Sequence, residues 1–135
     1  MLNKFTVKRP IYEIMLAHLQ DAYPLEACGM LTGHEMCATG LYAIENLLQS
    51  PTKYEMDATQ QLQAMLHAEA AELTLLAVYH SHPHGPAYPS STDIAEAYYP
   101  ELVQLIVSLD DWKTPSVGAF YIVDGQISEL SLLIE

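Results

Sequence analysis

The segment from 73 to 83 constrains the fold more than any other part of the chain. Its first six residues, Leu73–Val78, are mostly apolar, which is typical of a buried strand. Side chains two residues apart in a strand point to the same face, so His80 and His82 project together from the strand end. Pro83 has no backbone N–H to donate and is expected to end the strand. The pattern predicts a metal site at the end of a rigid strand.

The residue that would be the third ligand of such a site has two competing roles. A catalytic zinc ion typically keeps three protein ligands and one open position for water, and Asp93, eleven residues after His82, is the natural third ligand. Ser90 and Asp93 ahead of Ile94 also have the form of a helix capping box, in which neither side chain would touch a metal. Spacing alone does not separate these roles. The general base must be a further carboxylate, which spacing also does not locate.

Charge and cysteine content argue against several other functions. Seventeen Asp and Glu residues against five Lys and Arg give a formal net charge of −12, so the chain lacks the basic surface that nucleic acids require. Cys28 and Cys37 form neither a disulfide framework nor a cysteine-based zinc site. The apolar runs are too short to cross a membrane, and the residues from Met1 to Phe5 do not have the form of a signal peptide. We therefore expect a cytoplasmic protein without membrane or nucleic-acid partners.

The remaining patterns predict one mixed α/β domain over residues 1–135. They indicate strands at 5–8, 26–33, 38–45, 73–82, 102–108, 117–123 and 127–134, and helices at 10–20, 58–72 and 91–99. Asp57 is expected to cap the second helix, with Leu62, Met65 and Leu66 facing the core, and Asp124–Gly125 is expected to form a hairpin turn. The order of elements implies parallel and antiparallel pairs in a central sheet flanked by about three helices.

Two separate segments resemble the JAMM motif region of the MPN (Mov34/PAD-1) metalloprotease family. His80–Pro83 followed by Ser90 and Asp93 resembles the motif itself, and Tyr23–Leu31 resembles the segment that carries the family's catalytic glutamate. Both occur in the family's order and spacing, and the likeness extends through nearly the whole chain. The short single-domain form of the chain and the sequence of residues 88–93 look most like the bacterial branch of the family. The resemblance implies an MPN-like domain of cytidine-deaminase-like architecture.

The resemblance also implies roles for individual residues. His80, His82 and Asp93 match the zinc ligands. Glu26 matches the general acid/base that holds the zinc-bound water, and Ser90 matches the serine that stabilises the oxyanion. The implied reaction is hydrolysis of an amide or isopeptide bond by zinc-activated water.

The family also implies a substrate. Its members cleave after the flexible Gly-Gly tail of ubiquitin-like proteins, and its bacterial members process small sulfur carriers, including one that releases cysteine from a carrier's C-terminus. We therefore expect Zn²⁺ as cofactor and a ubiquitin-like sulfur carrier protein as substrate. Its extended tail would add as a strand beside the active-site groove.

Two other functions share parts of this pattern. The main alternative is a non-catalytic MPN scaffold, but such scaffolds usually lack one or more motif residues, and all five positions are filled here. A cupin-like metal protein also uses a His-x-His pair, but it is expected to have Glu three or four residues after the second His, where this chain has Gly85 and Pro86. Half of the residues are hydrophobic, which favours an exposed apolar surface and hence a homodimer.

Overall fold

A computed structural model describes residues 3–135. Met1 and Leu2, on which part of the expectation about a signal peptide rests, lie outside the described residues. The strands are β1 (Lys4–Val7), β2 (Cys28–His34), β3 (Cys37–Ile44), β4 (Thr74–His82), β5 (Val103–Ser108), β6 (Ser116–Val123) and β7 (Gln126–Ile134), and the helices are α1 (Arg9–Ala22), α2 (Ala58–Ala70) and α3 (Ser91–Ala95). No helix within residues 3–135 is long and apolar enough to span a membrane.

The strands close into a barrel in the order β1-β3-β2-β4-β5-β6-β7, which the pairing of β1 with β7 completes. The β1–β3, β1–β7 and β4–β5 pairs are parallel, and the other pairs are antiparallel. The predicted mixed α/β fold with three helices is therefore confirmed. Closure of the sheet was not predicted, because it depends on a contact between the two ends of the chain that no local pattern reveals.

Strand β4 is buried on both faces, as its apolar run predicts. Ala77 and Tyr79 belong to the larger hydrophobic core, together with Met15 and Leu19 of α1. Val78, on the opposite face, belongs to a smaller core that includes residues of α2. Because side chains alternate along a strand, the face that carries Val78 continues to the two histidines at the strand end. Packing on both sides thus fixes the element that presents them.

Two local predictions hold and one is wrong. Asp57 caps α2 by accepting a hydrogen bond from the Gln60 backbone N–H at 2.9 Å, and Asp124–Gly125 has φ angles of 51° and 76°, as a type I′ hairpin turn requires. Met65 packs partly buried against the smaller core, as predicted, but Leu62 and Leu66 are each 56% exposed. The buried residues of α2 are alanines, whose small side chains let the helix lie close to the sheet and turn these leucines outward.

Helix α3 ends at Ala95, four residues earlier than predicted. Tyr99 is not helical because the helical conformation is disfavoured for a residue that precedes a proline. The chain leaves the helix before that point. Tyr98 is consequently 74% exposed. The segment after α3 therefore forms part of the surface near the end of β4.

Candidate metal centre and catalytic site

The two predicted histidines and the predicted aspartate lie together at the end of β4. His80 Nε2 is 3.2 Å from His82 Nε2. Asp93, from α3, places Oδ1 3.1 Å from His80 Nε2 and Oδ2 3.0 Å from His82 Nε2. His80 is 1% exposed and His82 is 8% exposed. In the part of the chain that the structure describes, these three side chains form the one group of His, Cys, Asp and Glu whose donor atoms are close enough to share a metal ion.

The spacing of these donor atoms fits an ion such as zinc. A tetrahedral ion with bonds of about 2.0–2.1 Å holds its ligand atoms about 3.3 Å apart, and the donor atoms here are separated by 3.0, 3.1 and 3.2 Å. His82 Nδ1 donates a hydrogen bond to the Pro86 carbonyl oxygen at 2.8 Å, so its Nε2 carries the lone pair that a metal requires. Two imidazoles and a carboxylate also leave a fourth coordination position open. These residues can therefore hold a metal.

Asp93 also caps α3, so its capping role and its place beside the histidines are not alternatives. Its backbone N–H donates to Ser90 Oγ at 3.1 Å, and its Oδ2 accepts from the Ser90 backbone N–H at 2.9 Å, which completes a capping box. The same Oδ2 faces His82. A carboxylate has about four lone-pair sites, which is enough for both sets of contacts.

Glu26 approaches this group from the segment just before β2. The antiparallel β2–β4 register pairs Cys28 with His80, and two hydrogen bonds join the next pair of residues toward the strand ends. One further step places Glu26 opposite His82, and the Cβ atoms of directly opposite residues lie about 5 Å apart. Glu26 is 5% exposed. A buried carboxyl group therefore faces the candidate metal ligands.

Burial and neighbouring charges shift the pKa values of these groups. Burial raises the pKa of Glu26 to about 7, although the nearby His82 partly offsets it, so this carboxyl can both take up and release a proton near neutral pH. Burial by itself would raise the pKa of Asp93, but the two histidines beside its oxygens hold that pKa well below its usual range. Burial also lowers the pKa of His80, which favours the neutral imidazole that metals bind.

Ser90 and Cys28 lie in contrasting environments. Ser90 is exposed at the N-cap of α3. Because its Oγ accepts from the Asp93 N–H, its own O–H proton is free to donate to a bound group. Cys28 is fully buried, and burial raises the pKa of its thiol to about 12. It is therefore a core residue and not a nucleophile.

Three residues that support the site were not predicted. Tyr54 stacks on the His80 ring with a centroid distance of 4.6 Å and an interplanar angle of 29°. Asn46 Nδ2 donates to the Glu26 carbonyl oxygen at 3.0 Å, and Ser81 Oγ accepts from a backbone N–H beside Glu26 at 3.0 Å. Each contact joins residues that are far apart in sequence, so no local pattern signals it.

A cavity of about 260 Å³ adjoins Asp93. Val78 and Gln104, which are paired neighbours on β4 and β5, line it together with residues of α2, the loop between β3 and α2, and the segment after α3. Glu55 and Glu96 also line it, whereas no lysine or arginine is among its lining residues. The site is therefore open on this side to an acidic, partly apolar cavity.

Residues 8–122 match the family described as prokaryotic homologs of the JAB domain. This range includes Glu26, the three candidate metal ligands and Ser90. The chain belongs to the prokaryotic JAB-domain family. The predicted membership of the JAMM/MPN group is thereby confirmed.

Two named peptidases and one solved structure are similar to this JAB-domain chain over most of its length. The CysO-cysteine peptidase of Mycobacterium tuberculosis is 34% identical over 125 residues, which are 91% of this chain and 86% of the peptidase. A probable TtuB-protein conjugate cleaving protease of Thermus thermophilus is 36% identical over 129 residues, 95% of this chain and 81% of the protease. The solution structure of DSY2949 from Desulfitobacterium hafniense has a TM-score of 0.90 and 34% identity, and the match covers 97% of this chain and 92% of DSY2949.

Proposed function

We propose that this protein is a zinc-dependent peptidase that cleaves a peptide or isopeptide bond at the C-terminal tail of a ubiquitin-like sulfur carrier protein. The observation that carries the proposal is the position of Glu26, a buried carboxyl with a pKa of about 7 opposite one of three side chains that can hold a metal. In a non-catalytic scaffold this arrangement would only lower stability, because burying a carboxyl group without a compensating partner destabilises the fold.

The residues of the site divide the work of hydrolysis. Bound zinc would supply positive charge that lowers the pKa of a water molecule and polarises a carbonyl group. Glu26 takes the proton of the attacking water and delivers it to the leaving amine. Ser90 donates its free O–H to the negative charge that develops on the carbonyl oxygen. Asp93 would hold the metal together with His80 and His82, and its carboxylate is positioned by the Ser90 backbone N–H at the first turn of α3.

The names of two relatives support this substrate class. One similar peptidase is named for a cysteine adduct of CysO and the other for conjugates of TtuB. The family resemblance implies that such substrates are ubiquitin-like sulfur carriers, whose tails are flexible and extended. A backbone with two glycines at its end can enter a narrow site because it has no side chains to exclude.

Incubation with candidate sulfur carriers that bear C-terminal extensions tests this proposal. We expect mass spectrometry to show loss of the extension after the carrier's terminal glycine, and we expect a zinc chelator to stop the reaction and added zinc to restore it. About one zinc ion per chain should accompany activity. Cleavage that continues in chelator, or a zinc-loaded protein that cleaves no carrier, would contradict the proposed function, and the second result would favour a scaffold.

Tyr54 provides a separate test of how the metal ligands are held. A metal-binding histidine normally donates its second ring N–H to an acceptor, but His80 Nδ1 is buried with no hydrogen-bond partner in residues 3–135. The stacked Tyr54 ring is therefore the contact that fixes the imidazole. We expect Tyr54→Leu to weaken zinc binding about tenfold and Tyr54→Phe, which keeps the ring, to bind zinc nearly as tightly as the wild type. Competition with a chelating dye measures both, and equal affinities for the two variants would show that stacking has no such role.

A further inference from the structure

The face of the sheet that carries the two histidines continues across β5 and β6. His82 on β4 pairs with Ser108 on β5, and Ser108 pairs in turn with Ser116 on β6. Paired residues of neighbouring strands point to the same face of a sheet. The side chains of β5 and β6 that share this face therefore lie beside the segment that follows His82.

Two contacts hold the segment of residues 83–89 on this surface. The buried Ser108 donates a hydrogen bond from its Oγ to the Gly85 carbonyl oxygen at 2.5 Å. The buried Phe120 ring of β6 meets the Tyr88 ring edge-to-face, with centroids 5.3 Å apart. The segment is thus attached near both of its ends, once to each strand.

Gly118 leaves room for the backbone between these two contacts. It lies two residues before Phe120 in β6 and therefore on the same face. A Cβ atom at Gly118 would be 2.6 Å from the Ala87 carbonyl oxygen and 2.5 Å from a carbon of the Phe120 ring, which is too close for atoms that are not bonded. The φ angle of Gly118 is not positive. This position therefore requires the absence of a side chain and not a special backbone conformation.

The carbonyl group between these contacts is the one that orients His82. Residues 85–87 present three successive carbonyl oxygens. The first accepts from Ser108, the third lies against Gly118, and the second, which belongs to Pro86, accepts from His82 Nδ1 at 2.8 Å. That last hydrogen bond leaves the His82 Nε2 lone pair available to a metal. The acceptor is therefore fixed by a contact on either side of it.

This support is needed because the segment itself is open to solvent. His84, Pro86 and Tyr88 are all exposed, and an exposed segment loses conformational entropy when it is held in one arrangement. His80 Nδ1 has no hydrogen-bond partner in residues 3–135. His82 is thus the histidine whose orientation depends on a hydrogen bond, and that bond depends on the position of the segment.

We propose that Gly118 and Ser108 are positioning residues for the metal centre, because they hold the Pro86 carbonyl group that orients the His82 imidazole. The inference rests on the proposed function only in requiring that the site binds zinc. Neither residue belongs to the group whose donor atoms converge. Their replacement should therefore weaken metal binding without removing a ligand.

Zinc affinities from competition with a chelating dye test this inference. Gly118→Ala places a methyl group where the Ala87 carbonyl oxygen lies, and we expect it to weaken zinc binding about tenfold, as the loss of an outer partner of a ligand does. Ser108→Ala removes the hydrogen bond to Gly85 without adding bulk, and it should weaken binding by a smaller factor. Because both changes act through one carbonyl group, the double variant should bind zinc about as tightly as Gly118→Ala alone.

The ring proton on His82 Nδ1 reports on the same contact directly. In the zinc-loaded wild type we expect proton NMR to show this proton protected from exchange with water, and we expect faster exchange in zinc-saturated Gly118→Ala protein. Gly40→Ala is the matched control, because a Cβ atom at this strand glycine would also meet a neighbour, Thr32 Oγ1, at 2.6 Å. Thr32 pairs with Leu75, near the opposite end of β4 from the histidines. The control should change neither zinc affinity nor proton exchange, whatever its effect on unfolding in urea.

The possible outcomes are distinct. Wild-type zinc affinity and slow ring-proton exchange in Gly118→Ala would overturn the inference, and so would additive losses in the double variant or an equal loss in Gly40→Ala. If Gly118→Ala does not fold, unchanged proton exchange in Ser108→Ala would overturn it instead. None of these measurements uses a substrate. Zinc-loaded wild type that cleaves no carrier would overturn the proposed function while the affinities still decide this inference, whereas wild type that binds no zinc would overturn both.

Discussion

Glu26→Gln protein is expected to hydrolyse its carrier substrate about 10²- to 10⁴-fold more slowly than the wild type, which is the range that a general acid–base residue contributes. Glutamine fills the same volume but can neither accept a proton from water nor return one to the leaving amine. Zinc affinity should stay unchanged, because Glu26 lies opposite the proposed ligand His82 and is not one of the three groups whose donor atoms converge. Initial rates by mass spectrometry, together with zinc content per chain, measure the two effects.

The same substitution is not expected to harm the fold. Burial raises the pKa of Glu26, which means that the folded state disfavours the charged carboxylate and loses stability as the pH rises from about 4.5 to about 7. Glutamine carries no such charge, so the thermal unfolding midpoint of the Glu26→Gln protein at pH 8 should equal or exceed that of the wild type. Glu45→Gln, at an exposed position just after β3, is the matched control and should leave the rate unchanged. A Glu26→Gln enzyme with wild-type rate would exclude Glu26 as the acid–base group.

Replacement of Asp93 is expected to remove the metal as well as the activity. An asparagine oxygen is neutral and a weak zinc ligand, so Asp93→Asn should lower zinc affinity on the order of 100-fold or more. This exceeds the loss expected when a residue that only contacts a metal ligand is replaced. Hydrolysis should become undetectable at the zinc concentration that saturates the wild type. The asparagine oxygen can still accept from the Ser90 N–H, so the first turn of α3 should survive. Asp93→Ala should lose zinc to the same extent and, because it also removes the N3 carboxylate of the capping box, its metal-free form should unfold at a lower urea concentration than that of Asp93→Asn.

Chelator competition and urea unfolding of the metal-free variants distinguish the two roles of Asp93. Ser90→Ala serves as a comparison, because it removes the hydroxyl that accepts from the Asp93 N–H but leaves the carboxylate in place. It should retain zinc and lose activity through the missing oxyanion contact. If Asp93→Asn bound zinc as tightly as the wild type, the carboxylate would have only a capping role.

Sequence patterns predicted the features that are determined by residues close together in the chain. The apolar run before His80 and the period of two along a strand were enough to place two imidazoles on one face, and Asp57 and Asp124–Gly125 needed only cap and turn chemistry. The outward turn of Leu62 was missed because it depends on how closely α2 approaches the sheet, a distance that the periodicity of the helix does not contain.

The rest of the site depends on pairings between distant segments. The motif resemblance indicated a role for Glu26, but its position opposite His82 follows only from the β2–β4 register. Tyr54 gave no signal at all, since an aromatic residue in a loop is compatible with many environments. Spacing leaves Asp93 as either a cap or a ligand because it describes one contact at a time, whereas a carboxylate makes several.

The joining of β1 to β7 has a consequence for how the chain folds. Lys4–Val7 pairs with Ser131–Ile134, so the barrel closes through residues separated by almost the full length of the polypeptide. Such contacts raise the contact order and require the loss of a large loop entropy before they become favourable, which slows folding relative to helical domains of this size. Until β1 docks, β7 has an unpaired edge that can pair with another chain. The N-terminal strand therefore completes the barrel and also protects the C-terminal strand from intermolecular pairing.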